Sequence, residues 1–209
     1  MELVTRITNK IRREIIKKSR KNIPFHKQTT YVEKNNQWYD PVLVNTDTFV
    51  KDCSNYKTIL GVSNIIDKLS DDDYLKFLKV FYKTGIKNFG KNWEYADILT
   101  VLYGICHNIS IDSYLEIGVR RARSMAIVAS LNPNADLVGF DLWIKDYAGI
   151  ENPGPEFVRN EIKNLNHKGK IKLIGGDSKK TVPQYFKENP NVFFDLVTVD
   201  GDHSKRGAI

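Results

Sequence analysis

The sequence SYLEIGVRRARSMAIVAS, residues 113–130, indicates a buried strand, a tight turn and a helix in direct succession. An apolar run from Tyr114 to Val119 is typical of the strand. The second half repeats apolar residues at helical spacing: Ala122, Met125, Ala126 and Ala129. Gly118 stands in the turn, where a missing Cβ lets a ligand approach the backbone and the first amides of the helix point at it. This stretch alone fits both a nucleotide-binding turn and an ordinary turn of an α/β protein.

The pattern of strand and helix recurs towards the carboxyl terminus. Apolar runs at 137–140, 171–174 and 192–199 predict three more strands, and helical patterns at 157–165 and 182–186 separate them. Strands joined by helices of this length predict parallel pairing with right-handed crossovers. The sequence therefore predicts an α/β fold, an open parallel sheet with helices on both faces.

The first 92 residues are predicted to form a helical and irregular extension, and residues 93–209 the sheet domain. Residues 2–20 predict an amphipathic helix that packs on the body or on a second subunit, with an anionic surface as the alternative. Residues 22–64 show no sustained period and predict mostly irregular structure. Ser70 and the acids at 71–73 cap a predicted helix that stops near Gly85, and a second helix is expected from about residue 93 to residue 108.

Charge and composition limit the classes of partner. Of the net charge of +7, the first 21 residues carry +6, so the body is nearly neutral and no nucleic-acid partner is expected. No run of 18 apolar residues and no secretion signal are visible, which predicts a cytoplasmic protein without a membrane span. Cys53 and Cys106 lack metal-site spacing and are expected to be reduced thiols.

Polar residues follow all four predicted strands: Glu116 and Gly118, then Asp141, then Asp177 and Ser178, then Asp200, Asp202 and His203. The carboxyl ends of parallel strands share one edge, where ligands bind in such sheets. Asp141 lies 23 residues beyond Gly118, close to the offset of a carboxylate that accepts both ribose hydroxyls. A nucleoside is therefore expected there. A dinucleotide is less favoured, because arginines occupy positions where a pyrophosphate-binding loop needs small residues: Arg120, Arg121 and Arg123.

The segments LEIGVRRARS, GFDLW, IGGDS and VTVDGDHS, in this order, resemble the first four motifs of the Rossmann-like S-adenosylmethionine-dependent methyltransferases. The branch with macrocin O-methyltransferase and the cephalosporin-hydroxylase-type proteins is the most similar. The resemblance implies Glu116 and Gly118 against the methionine part of the cofactor, Asp141 at the ribose, Asp177 and Ser178 at the adenine, and Arg120 and Ser124 as further cofactor contacts. It also implies Asp200 as a metal ligand, Mg²⁺ being the expected ion, and His203 as the general base.

The resemblance implies a methyltransferase that acts on a hydroxyl of a small molecule or sugar. The family would place glycines at positions 120 and 122, and the methyl group of Ala122 is expected to narrow the turn and weaken cofactor binding. The sequence ends after the fourth strand, where the resemblance leads one to expect three more strands. A catalytically inactive binding or assembly domain is therefore the alternative, and a nicotinamide dehydrogenase is a third possibility. An open edge along residues 192–199 predicts self-association.

Overall fold

The structure is a computed structural model that describes residues 32–33, 36–37, 46–145 and 151–201. Its contacts divide the chain into two units, Met1–Thr48 and Phe49–Ile209. In the first unit, β1 (Val32–Glu33) pairs antiparallel with β2 (Asn36–Gln37). The predicted amphipathic helix over residues 2–20 lies outside the described residues. No helix in the described part of the chain combines the length and apolar character needed to cross a membrane.

Four helices and a 3₁₀ turn precede the parallel sheet in the described segments: α1 (Thr46–Ser54), α2 (Tyr56–Ile66), α3 (Asp73–Phe89), the turn Gly90–Asn92, and α4 (Ile98–Asn108). The prediction of mostly irregular structure over 22–64 is thus wrong in its second half. Asn55 caps α2 by accepting the Thr58 N–H at 3.0 Å. Ile59 and Ile66 recur at helical spacing and are fully buried, and that burial stabilises the helix.

The predicted helix after Ser70 is confirmed as α3, but its predicted stop is wrong. Asp72 caps it by accepting the Leu75 N–H at 2.7 Å. Gly85 lies inside the helix, where a Cβ would come within 2.1 Å of the Trp93 ring. Close packing therefore explains that glycine. Gly90 instead ends the helix, with a φ of +54° that favours glycine.

The second predicted helix begins later than expected. Asp97 caps α4 and shares a reciprocal capping box with Thr100, so the helix starts at Ile98. Residues 93–97 lead into it. Helices α2 to α4 share one apolar core with the sheet, in which Tyr82 of α3 and Leu137 of the sheet are both fully buried. The predicted boundary after residue 92 therefore falls inside the second unit.

Four parallel strands form the sheet: β3 (Ser113–Ile117), β4 (Asp136–Asp141), β5 (Ile171–Gly175) and β6 (Leu196–Val199). Their spatial order is β5-β4-β3-β6, so in chain order the third strand is followed by the second, the first and the fourth. This is the first part of the doubly wound order, with its reversal between the first and fourth strands. The fold is Rossmann-like. The predicted α/β class with a parallel sheet is confirmed.

Helices cover both faces of this sheet. Those that follow its strands are α5 (Arg123–Leu131), α6 (Pro155–Asn164) and α7 (Ser178–Glu188). Alternate strand residues point to opposite faces. Tyr114 and Leu137 belong to the core shared with α2 to α6, whereas Leu115 and Val138 belong to a second cluster with Tyr185 of α7. The prediction of helices on both faces is confirmed.

The fourth strand is shorter than the predicted 192–199. Asp195 accepts the backbone N–H groups of Asp112 and Ser113, each at 2.9 Å, and so anchors the chain before β6 begins. Val192 and Phe194 pack against the second apolar cluster instead of extending the strand. Among the described strands β6 pairs with β3 alone and forms an edge of the sheet.

Candidate functional site

The carboxyl ends of the parallel strands open on a cavity of about 710 Å³. It lies at the reversal of strand order, where open α/β sheets bind ligands. Seven of the nine predicted site residues line it: Gly118, Arg120, Ser124, Asp141, Asp177, Ser178 and Asp200. Glu116 is fully buried and does not line it, and His203 lies outside the described residues. The structure thus brings most of the predicted residues together.

Gly118 is required by packing between neighbouring strand ends. Its φ is +93°, and a Cβ would lie 2.1 Å from the carbonyl oxygen of Asp200. The Asp200 N–H also donates to the carbonyl of Ile117 at 2.8 Å. The backbone of Asp200 therefore fills the space beside the Gly118 Cα. This packing accounts for the glycine without a ligand, and the expected close approach of a ligand to Gly118 stays a prediction.

The turn keeps a glycine-like backbone at the two positions where the family has glycine. Arg120 has a φ of +52° and Ala122 a φ of +59°, both left-handed. For a residue with a Cβ this conformation costs about 1–2 kcal/mol. The methyl group of Ala122 is fully buried and does not line the cavity. The expectation that it weakens cofactor binding stays a prediction.

Two arginines of this turn bind the carboxylate of Asp72, the residue that caps α3. Arg121 Nε lies 3.3 Å from Asp72 Oδ2, and Arg123 pairs with the same oxygen. Arg121 also pairs with Glu151 at 2.7 Å. Burial opposes ionisation of Asp72, but the Leu75 N–H and the Arg123 guanidinium outweigh it and lower the pKa of this carboxyl. These ion pairs fasten the turn to the start of α3.

Glu116 lies buried at the end of β3. Its Oε1 accepts a hydrogen bond from Ser124 Oγ, and its Oε2 has no partner among the described residues. Burial, with smaller contributions from the Asp200 and Asp141 carboxylates, raises the pKa of Glu116 to about 8 against the opposing hydrogen bond from Ser124. The neutral acid therefore predominates at pH 7. Ser124 lines the cavity, so its hydroxyl connects the buried Glu116 carboxyl to the cavity.

Asp141 already accepts three hydrogen bonds. Its Oδ2 accepts the Arg120 N–H at 2.8 Å, and its Oδ1 accepts the Trp143 N–H at 2.7 Å and the Asn152 amide at 3.0 Å. A carboxylate has about four acceptor sites, so one remains on Oδ2. Accepting two ribose hydroxyls would require displacing a present donor, and Asn152 is the one held by a side chain. Sequence reasoning missed Asn152, since its segment has no periodic signal.

The turn after β5 is built from local contacts. Gly176 has a φ of +125°, and Asp177 caps α7 by accepting the Lys179 N–H at 3.0 Å. Ser178 follows as the first residue of α7 and lines the cavity. Capping accounts for Asp177 without a ligand, and its contact with adenine stays a prediction.

A further wall of the cavity comes from residues that sequence reasoning did not select: Tyr74, Tyr95, Asp97 and Ile98. Asp97 Oδ2 accepts hydrogen bonds from Tyr82 at 2.8 Å and from Tyr95 at 3.2 Å. An Asp directly before an apolar helical run is a signal for a helix cap, and the sequence shows this signal at Asp97. The sequence does not show its position on the cavity, because α4 meets the strand ends only through tertiary packing.

The described residues do not fit a metal site. No three His, Cys, Asp or Glu side chains converge within the described ranges. Asp200 lines the cavity, but Asp202 and His203 lie outside those ranges. The predicted magnesium ligand Asp200 therefore does not belong to such a group among the described residues.

No family model and no curated protein sequence matches this chain. Among solved structures, it is similar to a cyclopropane-fatty-acyl-phospholipid synthase-like protein from Lactobacillus casei ATCC 334, with a TM-score of 0.39 and 15% identity. The match covers 66% of this chain and 45% of that protein, less than half of its length. A likeness at this level carries no functional conclusion, and the fold assignment rests on the strand order.

Proposed function

We propose that this chain binds S-adenosylmethionine at the strand-end cavity and belongs to a methyltransferase. One observation carries the proposal: a left-handed turn after the first strand and an available acceptor site on Asp141 after the second meet in one cavity at the reversal of strand order. The motif resemblance selects this nucleoside cofactor over others.

Different residues would contact different parts of the cofactor. Asp141 Oδ2 would accept a ribose hydroxyl, and Asp177 and Ser178 would lie at the base. Ser124 and the neutral Glu116 would lie towards the amino-acid end, where an uncharged acid avoids repelling the cofactor carboxylate. When bound, S-adenosylmethionine supplies an electrophilic methyl group on a sulfonium.

The finer proposal is transfer to a hydroxyl of a small molecule or sugar, with His203 taking the acceptor proton. Imidazole titrates near neutral pH and suits that task. Asp200 is the one predicted Mg²⁺ ligand among the described residues, so the proposal does not depend on a metal ion. A binding or assembly domain without catalysis is the alternative.

Calorimetry tests cofactor binding. We expect S-adenosylmethionine to bind and NAD not to bind. Asp141→Asn removes a charge-assisted hydrogen bond worth about 1.5–3 kcal/mol, so affinity should fall roughly tenfold or more. Asp136→Asn is the matched control, because Asp136 begins the same strand at its opposite end and does not line the cavity. Equal affinity in the two variants would remove Asp141 from the site, and binding of NAD alone would overturn the proposal.

A transfer assay separates the enzyme from the alternative. His203→Ala should lower the rate on the order of 10²–10⁴ and leave cofactor affinity intact. Loss of rate and affinity together would indicate a structural histidine. Cofactor binding without transfer to hydroxyl acceptors would favour the binding domain.

We also propose that the β6 edge mediates self-association. Val197 is 50% and Val199 68% exposed on a strand that pairs with β3 alone among the described strands. Unpaired strand edges recruit other strands. Sedimentation at several concentrations should show oligomers, and a monomer across the micromolar range would contradict this.

A further inference from the structure

Part of the cavity lining is apolar and exposed. Four large side chains line the cavity while remaining about half exposed: Tyr74 48%, Ile98 49%, Leu142 52% and Ile144 46%. They come from three separate segments, the starts of α3 and α4 and the chain after β4. Exposed apolar residues that gather around one opening mark a ligand surface, whereas scattered ones need no explanation.

A carboxylate without a cationic partner lies on the same wall. Asp97 accepts hydrogen bonds from Tyr82, Tyr95 and the Thr100 N–H, all neutral donors, and no Lys or Arg of the described segments forms an ion pair with it. Burial, together with the Asp97 carboxylate, raises the pKa of Tyr95 to about 12, so this hydroxyl stays a neutral donor. Asp97 therefore brings a carboxylate that forms no ion pair among the described residues to this part of the lining, whereas the nearby Arg123, over the Tyr74 ring, pairs with Asp72.

We infer that this wall binds the methyl acceptor, and that the acceptor carries a protonated amine next to an apolar ring or chain. The amine would donate to the remaining acceptor site of Asp97, and the apolar body would cover Ile98, Tyr74 and Leu142. This inference rests on the proposed function and narrows its substrate class. A sugar would leave most of its hydroxyls against apolar side chains without hydrogen bonds.

Four small probes test the charge and the apolar body separately: 2-phenylethylamine, 2-phenylethanol, 3-phenylpropanoate and ethylamine. Binding to the full chain would be measured by NMR titration, with and without S-adenosylmethionine. We expect 2-phenylethylamine to bind at least about tenfold more tightly than each of the others, as a charge-assisted hydrogen bond and apolar burial both contribute. Equal binding of 2-phenylethanol would overturn the role of the charge, and equal binding of ethylamine would overturn the role of the apolar wall.

Variants locate the probe. Asp97→Asn keeps a good helix cap and should abolish the preference for the amine over the alcohol. Ile98→Ser should weaken both aromatic probes several-fold through lost apolar contact. Val50→Ser is the matched control, since Val50 is 56% exposed on α1 and does not line the cavity. Unchanged probe affinities in both cavity variants would contradict the inference.

Titration of S-adenosylmethionine into the same samples distinguishes the two proposals. The amine and the cofactor should bind together, and Asp97→Asn should leave cofactor affinity unchanged. Competition between them would assign Asp97 to the cofactor and overturn the acceptor site. Binding of the amine without any binding of S-adenosylmethionine would support the amine site and contradict the proposed function.

Discussion

The turns after β3 and β5 open on the same cavity but are built differently. The turn after β3 contains three left-handed residues, Gly118, Arg120 and Ala122, and no side chain caps α5. The turn after β5 contains one, Gly176, and Asp177 caps α7. The strained and uncapped turn is the one that lies at the reversal of strand order, where ligands bind.

The difference shows where the stability of each turn comes from. The turn after β5 is stabilised by its own residues. The turn after β3 is held by distant ones, because Arg121 and Arg123 both pair with Asp72 at the start of α3. Backbone strain at a binding site persists only where surrounding contacts impose it. Among the described residues, no side chain caps the first amides of α5.

The largest expected effect concerns the two glycines. Gly118→Ala should destabilise the fold by about 2–6 kcal/mol, since left-handed strain adds to a clash with the Asp200 backbone. Gly176→Ala should cost only about 1–3 kcal/mol, because the nearest atom is Thr181 Cγ2 at 3.1 Å. Urea unfolding measures both. Equal losses would mean that the Asp200 contact contributes nothing.

The next comparison removes, for each turn, one carboxylate that holds it in place. Asp72→Asn keeps the cap of α3 but leaves Arg121 and Arg123 without this partner, so unfolding free energy should fall by about 3–5 kcal/mol. Asp177→Asn changes an exposed cap to an equally good one and should stay within about 0.5 kcal/mol. Thermal unfolding at matched pH compares them. A small effect at Asp72 would show that the turn does not need its ion pairs.

The pH dependence of stability tests the buried acid below the turn after β3. The pKa of Glu116 is raised from 4.5 to about 8 on folding, so the folded state holds an additional proton between these values. The stability that this proton contributes is fully present below pH 4.5 and is lost as pH rises towards 8. As pH rises from 4.5 to 8, the unfolding free energy of Glu116→Gln should therefore rise relative to that of the wild type by a few kcal/mol. Parallel stability profiles would mean that the carboxyl is ionised throughout.

The smallest expected effect relieves strain. Arg120→Gly should stabilise the fold by about 0.5–1 kcal/mol, because glycine adopts a φ of +52° freely but loses more entropy on folding. Asn166→Gly, at a φ of +62° outside both turns, should change stability by less, since asparagine tolerates this conformation. Urea midpoints measure the difference. Destabilisation by Arg120→Gly would show that contacts of its side chain outweigh the strain.

Sequence patterns predicted the parallel sheet well because each strand is a local apolar run and each intervening helix has a local period. The same logic predicted that Asp141, Asp177 and Asp200 share one edge of the sheet, and all three line the cavity there. It failed where tertiary packing decides the outcome. Gly85 looks like a helix end but packs on Trp93, and Gly90 ends α3 instead.

The rest of the site depends on contacts between segments far apart in the chain. Arg121 and Arg123 were interpreted only as obstacles to a pyrophosphate, because their partner Asp72 lies about fifty residues earlier. Asp97 was not selected, since the helix was expected to begin at about residue 93 and nothing local marks Asp97 as a cavity residue. Spacing along the chain could not show either role, since both arise from helices α3 and α4 packing beside the strand ends.

An NMR titration of ¹⁵N-labelled protein with S-adenosylmethionine tests the cofactor site residue by residue. We predict saturable shift changes at the amides of residues 118–121, 123–124, 141–142 and 176–179, which line the cavity. Asp141→Asn should require roughly tenfold more ligand for the same changes. Absence of shifts at these amides, or saturable shifts confined to other parts of the chain, would contradict the assignment of this cavity.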